Sequence, residues 1–302
     1  MLEVENLSAG YGKGDVIRDL TFTATKGELY LLLGTNGAGK TTTFRAITGI
    51  LPPSRGRVIV EGIDLWRDPE KAKVKIGYLP EGERVYPNLS VYRNLLLFAR
   101  LYGVPEERIG EVLREFNLKE YRDRKAGELS RGLRKRLALA RALLHEPEVL
   151  VLDEPFANLD VSSVISLRDK IFESLKEGRV VLFSTHILSE LQQFEGAKCR
   201  VGIIRDGKLV LEERLENLMS LLSGVDAVLV VNNPQLALQV LKEKNYDARI
   251  EGRNIIVSIS NYTLEVPEIT RILAENGVGI LQVRPKEIPL EKLFMKLSKQ
   301  DR

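Results

Sequence analysis

The sequence predicts an α/β domain with a largely parallel sheet, followed by a small two-layer α+β unit. Three observations carry this. Short apolar runs alternate with helical patterns over the first two hundred residues. A glycine-rich loop, GTNGAGKTT at 34–42, lies between an apolar run and a helical pattern. After Gly224 the patterns run strand, helix, strand, strand, helix, strand.

The elements follow in order. LEVENL at 2–7 and VIRDLTFTA at 16–24 alternate as antiparallel or edge strands do. Leu29–Leu33 is apolar throughout, the mark of a buried strand, and Thr41–Thr48 has helical character. Pro52 to Gly56 form a turn, and Arg57–Val60 a strand. From about Tyr92 to Phe116 the pattern is helical, the second helix opening on a proline. This marks a helical insertion over about 85–145. The α/β theme resumes with EVLVLDEP at 148–155, the helix Ser163–Lys176 and the strand Val180–Ser184. The hairpin VGIIRDGKLVLEE turns on Asp206-Gly207, a strong turn signal. The first domain is therefore placed at 1–220. Residues 225–302 form the second, whose β-α-β-β-α-β order is ferredoxin-like and closes with an amphipathic helix in PLEKLFMKLSK.

Composition excludes several classes. The 302 residues, 44% hydrophobic, suffice for two cores. A net charge of +3 is too small to argue for nucleic acid or an anionic membrane surface. The single cysteine, Cys199, rules out an internal disulfide and reads as a core thiol. No Cys/His cluster has zinc spacing. No apolar run approaches the roughly 20 residues needed to cross a bilayer. The N-terminus lacks a secretion-signal pattern. The expectation is a cytosolic globular chain.

Three strings carry chemistry. In GTNGAGKT, Gly34, Gly37 and Gly39 let the backbone curl so that N–H groups face a phosphate, and the next helix adds its positive N-terminus. Lys40 would reach the β- and γ-phosphates, and Thr41 would place its hydroxyl on Mg²⁺. In VLVLDEP, Asp153 ends a buried strand and can bind Mg²⁺, while Glu154 stays free to accept a proton from an attacking water. In LSRG at 129–132, Ser130 and Gly132 open a helix whose N–H groups can bind an anion. The run Arg134-Lys135-Arg136 beyond it reads as a solvated helix face, and His145 has no motif around it.

The order GTNGAGKTT, LSRG, VLVLDEP, NLD at 158–160 and STH at 184–186 resembles the nucleotide-binding subunit of ATP-binding cassette (ABC) transporters over roughly 1–220. The resemblance implies a P-loop NTPase cassette: a RecA-like core with antiparallel β and helical subdomains, here followed by the small ferredoxin-like domain. It implies that Tyr11 stacks on adenine and that Gly34, Thr35, Asn36, Gly37, Ala38, Gly39, Lys40, Thr41 and Thr42 form the Walker A phosphate loop. Ser130 and Gly132 match the signature that closes on ATP held by another subunit. Asp153 and Glu154 match Walker B and the catalytic glutamate, Asp160 the D-loop, and His186 the switch histidine that senses the γ-phosphate. Two departures stand out: LSRGL replaces the fuller LSGGQ at Arg131 and Leu133, and Glu81 stands where a glutamine is usual, as a further Mg²⁺ contact.

The family further implies an ATPase using ATP and Mg²⁺, paired with a second copy or a paralogous cassette. It would power transport through a separately encoded membrane permease, held peripherally on the inner face of the cell membrane, without nucleic acid. The C-terminal unit looks like the extension of exporter-type ATPases. An ATP-gated clamp or assembly factor, for example in iron–sulfur assembly, is the rival reading. A small-molecule kinase would explain the phosphate loop but not LSRG, NLD or STH.

Overall fold

The computed structural model describes residues 1–12, 14–222, 226–259 and 262–286. The chain divides into two compact units, Met1–Arg214 and Leu215–Arg302.

In the first unit β1 (Leu2–Gly10) pairs antiparallel with β2 (Asp15–Ala24), and β3 (Leu29–Leu33) runs into α1 (Lys40–Ile47). Then come β4 (Arg55–Val60), β5 (Ile63–Asp64), α2 (Pro69–Lys73) and β6 (Ile76–Leu79). A helical stretch follows, with α3 (Val91–Tyr102), α4 (Glu106–Glu115) and α5 (Arg131–Leu143). The unit closes with β7 (Val149–Asp153), α6 (Val161–Lys176), β8 (Val180–Thr185), β9 (Cys199–Arg205) and β10 (Lys208–Arg214). One sheet has the order β2-β1-β4-β5 and is antiparallel. The other has the order β10-β9-β3-β8-β7-β6 and is parallel except at the β9–β10 hairpin.

Strands β3, β7 and β8 are buried at every position, as parallel strands covered on both faces are. One core joins the antiparallel sheet, α1 and one face of the parallel sheet, bringing Leu7, Phe22, Tyr30, Phe44, Val151 and Leu182 together. Each such side chain contributes about 1.5–3 kcal/mol on burial, so this core mounts α1 firmly on the sheet.

Register decides where the chemistry gathers. Leu33 pairs with Thr185, Asp153 with Ser184, and Leu79 with Leu152. The C-terminal ends of β3, β8, β7 and β6 therefore lie side by side along one edge. Open parallel sheets place ligands there.

Several expectations change. The turn proposed over residues 52–56 gives way early, since β4 already begins at Arg55. Gly56 sits at φ +82° where β1 and β4 shift register between Glu5 and Ser8, a bulge that keeps the strand going. β6 and α2 carry too short or too mixed a pattern to stand out.

The second unit contains α7 (Leu215–Leu222), β11 (Ala227–Val231), α8 (Pro234–Glu243), β12 (Ala248–Glu251), β13 (Asn254–Val257), α9 (Tyr262–Glu275) and β14 (Ile280–Pro285). Its sheet is antiparallel with the order β12-β13-β11-β14. Leu229, Ile255 and Val257 pack on Ala237, Leu241, Ile269 and Leu273 of the two longer helices. Asn233 caps α8 by accepting from the Leu236 N–H at 3.2 Å. Helix α9 starts earlier than its proline suggests and carries Pro267 inside it. The helix expected in PLEKLFMKLSK falls outside the described residues.

Candidate functional site

The phosphate loop links the end of β3 to α1. Asn36 and Gly37 are exposed at its crest, while Gly34, Ala38, Gly39 and Lys40 are buried beneath it. Gly39, at φ +110°, is the residue before α1, and any Cβ there would lie 2.9 Å from the Ile17 side chain. Lys40 Nζ donates to the carbonyls of Gly34 at 2.8 Å and Thr35 at 3.1 Å. Thr41 and Thr42 follow in the first turn of α1.

Asp153 ends β7 and is fully buried. Its Oδ1 accepts a 2.6 Å hydrogen bond from Ser184, while Oδ2 is buried without a hydrogen-bond partner. Burial pushes its carboxyl above the usual value, opposed by hydrogen bonding from Ser184 and Thr41.

Glu154 is the meeting point of the site. Its carboxylate lies 3.3 Å from Lys40 Nζ and 3.0 Å from His186 Nδ1. Its N–H donates to Ser184 Oγ at 2.9 Å, and its φ is +44°, in the left-handed region. His186 follows the last residue of β8. The hydroxyl of the preceding Thr185 accepts from the Ile187 N–H and donates to Glu190 at 2.7 Å, which fixes the turn after the strand.

A cleft of about 620 Å³ opens beside these strand ends. Thr41, Glu81 and Asp153 line it, with Arg45, Arg84 and Arg141 and the aromatic side chains of Tyr78, Phe98 and Tyr102. Glu81, just past β6, therefore shares a cleft with Thr41 and Asp153. Tyr11 is half exposed, and its hydroxyl accepts from Arg45 at 2.9 Å.

Of the predicted residues, Thr41, Glu81 and Asp153 line this cleft, while Ser130, Gly132 and Asp160 lie at the starts of α5 and α6. Ser130 is the N-cap of α5, accepting from the Leu133 N–H at 3.3 Å. Gly132, in the first turn, lies so close to α6 that a Cβ would meet Ser163 Oγ at 2.5 Å. Asp160 caps α6, accepting from Ser163 N–H at 2.9 Å and from the Ser162 and Ser163 hydroxyls. Those hydrogen bonds hold its carboxyl down to about 2. None of the three lines the cleft of Thr41 and Asp153.

The basic run 134–136 is not a solvated face. Lys135 is 3% exposed, and its ammonium donates to the Glu154 carbonyl at 3.5 Å. Arg134 donates to the Leu129 carbonyl at 2.6 Å and pairs with Glu83 at 3.9 Å. Sequence reading also passed over Ser184, which ties Asp153 to Glu154. The signal for Lys135 was present: it shares the inward face of α5 with buried Leu139 and Ala142.

His145 is partly buried and stacked on Tyr102 at 3.9 Å, with Nε2 3.1 Å from the Ile76 carbonyl. Burial holds its pKa down, so it is a neutral packing group.

Taken together, a glycine loop running into a helix N-terminus, a lysine and a carboxylate–imidazole pair can hold a polyphosphate and deprotonate water beside it. Comparison with known proteins agrees. A family model described as ABC transporter matches residues 17–157. The linearmycin resistance ATP-binding protein LnrL of Bacillus subtilis is 32% identical over 99% of this chain and 98% of its own length. The bacitracin transport ATP-binding protein BcrA of Bacillus licheniformis is 32% identical over 98% of this chain and 97% of its own. Among solved structures, an ATP-binding subunit of an ABC transporter covers 72% of this chain and 91% of its own length, with a TM-score of 0.66 and 32% identity. The chain therefore belongs to the ABC transporter family, as an ATP-binding and ATP-hydrolysing subunit of such a transporter.

Proposed function

We propose that this subunit drives export through a separate membrane permease, working in a pair that holds ATP between two cassettes. One observation carries the assignment of its own half-site: Glu154 is held between Lys40 and His186, one residue after a buried Asp153 with an unpartnered oxygen.

The phosphates of ATP sit in the loop of residues 34–42, on its backbone N–H groups and Lys40. Because Lys40 also pairs with Glu154, a γ-phosphate competes for the ammonium and releases the carboxylate to accept a proton from water. His186 keeps that carboxylate in place. Asp153 Oδ2 and the Thr41 hydroxyl fit a magnesium ion, which takes one or two protein oxygens plus phosphates rather than a full protein cage. Such an ion would neutralise phosphate charge. Glu81 lines the same cleft and is a third oxygen source. Tyr11 is the adenine platform.

Ser130 and Gly132, at the start of α5, serve ATP bound by the partner cassette, with Asp160 at the same interface. The partner is a second copy or a paralogue. The aromatic and arginine wall of the cleft, on α3 and α5, receives the permease, which places the chain on the inner membrane face. No helix of the described residues is long and apolar enough to cross a membrane. Export is supported by relatives named for linearmycin resistance and for bacitracin and lantibiotic transport. Antimicrobial compounds of those kinds are the substrates to test. Residues 225–302 act as an accessory domain.

The test is to purify the chain with the membrane protein encoded beside it and measure ATP hydrolysis in liposomes. Stimulation by such a compound, abolished by Glu154→Gln, supports the reading. A complex that forms but is indifferent to every compound, with no transport into vesicles, overturns export.

A further inference from the structure

Lys135 is a buried cation that the scheme above does not use. At 3% exposure it is among the most enclosed charged groups in the chain. Among the described residues its ammonium makes no ion pair within 4.0 Å, and its hydrogen bond goes to the backbone carbonyl of Glu154 at 3.5 Å. Burying an ammonium is costly unless a specific arrangement needs it. Asp153, Glu81, Glu83 and Glu154 surround it at longer range and offset part of that cost.

The peptide it touches is itself unusual. Glu154 has φ +44°, a conformation that costs a non-glycine residue and persists only where its surroundings hold it. Ser184 takes the N–H of Glu154, and the Ala157 N–H and Lys135 take the carbonyl. The direction of the Glu154 side chain toward Lys40 and His186 follows from that held backbone. Lys135 reaches it from α5, the helix that Ser130 caps.

We propose that Lys135 is a positioning residue, which ties α5 to the Glu154 peptide and so fixes the carboxylate that takes the proton from water. This rests on the catalytic reading of Glu154. A displacement of the reacting group by about an ångström can cost about a hundredfold in rate, so the expected loss without the tether is about tenfold or more.

The test compares Lys135→Met and Lys135→Arg in the full chain, measuring ATP affinity with a fluorescent ATP analogue, kcat, KM and the thermal midpoint. Methionine keeps the apolar stem and removes the charged donor, and the thermal midpoint shows whether the carboxylates left behind lower stability. The expected result is kcat down about tenfold with affinity within about twofold, and recovery of at least half the rate in the arginine variant. In a Glu154→Gln background, Lys135→Met should slow hydrolysis no further, because residues acting through one another are not additive. If Lys135→Met does not fold, Lys135→Gln carries the same test with a donor too short to reach the carbonyl. An unchanged kcat, a loss of rate matched by a loss of ATP binding, or full additivity with Glu154→Gln overturns the proposal. If Glu154→Gln alone hydrolyses ATP at the native rate, the reading of Glu154 falls instead.

Discussion

Substituting Glu154 by glutamine separates the two tasks proposed for this carboxylate. In hydrolysis it would be the proton acceptor, and losing a general base costs about 10²–10⁴-fold. In binding it is a competitor for Lys40. The two groups lie 3.3 Å apart with side chains only 5% and 14% exposed. The bare attraction over that distance is about 5 kcal/mol at an effective dielectric near 20. Desolvation of the pair cancels most of it, leaving a net interaction on the order of 1 kcal/mol. Glutamine preserves the shape, removes the charge, and leaves Lys40 free to bind phosphate. ATP should therefore bind about fivefold more tightly to the variant while turnover falls at least a hundredfold. The ATP-bound pair should then accumulate.

Single-turnover hydrolysis, equilibrium titration with a fluorescent ATP analogue and size-exclusion chromatography at one fixed salt concentration measure all three. Undiminished turnover would refute the catalytic role. Weaker binding would refute the competition, showing that the pair props the loop open for phosphate instead.

Three further outcomes are expected. Lys40→Ala removes a cation from the phosphate loop, and losing charge-assisted hydrogen bonds of about 1.5–3 kcal/mol should weaken ATP binding by about 10–100-fold in the same titration. Gly56→Ala should cost about 2–4 kcal/mol in urea unfolding, because a Cβ at φ +82° would lie 2.3 Å from the Asn6 carbonyl. Glu28, buried and bonded to Arg200 and Thr25, has its carboxyl held below 4.5: burial raises it, but those hydrogen bonds outweigh burial. A depressed folded-state value adds stability above the unfolded value that is lost as pH falls through the folded one. Glu28→Gln should therefore lose about 2 kcal/mol at pH 7, with the gap to the native chain closing below about pH 4.5.

How far the site could be read beforehand follows from where its parts lie in the chain. The phosphate loop is contiguous, and its function depends on backbone conformation that glycines announce. Asp153 could be read because it ends a buried apolar run, whereas His186 was given a role only by the resemblance, and parallel register brings the two strand ends together. For Lys135 the spacing to Leu139 and Ala142 pointed inward, but its neighbours Arg134 and Arg136 make the run look like an exposed face. Asp160 illustrates a different gap. Its role comes from the resemblance alone, while what the folded chain shows is a carboxylate that accepts from Ser162 and Ser163 at the start of α6. The bulge at Gly56 could not be foreseen, because it arises only when β4 meets β1.

The departure at Glu81 also looks different once its surroundings are known. As a residue in a string, it adds a negative charge beside a triphosphate already faced by Asp153 and Glu154. In the cleft it shares walls with Arg45, Lys73, Arg84 and Arg141. Arg45 is anchored by Tyr11, and Arg141 donates to the Arg84 carbonyl while lying 4.8 Å from the Phe98 ring centre. Lys135 adds a further cation behind Glu154. Interactions among partly buried charges at such distances are screened far less than those on an open surface. The extra carboxylate therefore meets a local excess of positive charge, which offsets the repulsion it would otherwise add beside Asp153 and Glu154.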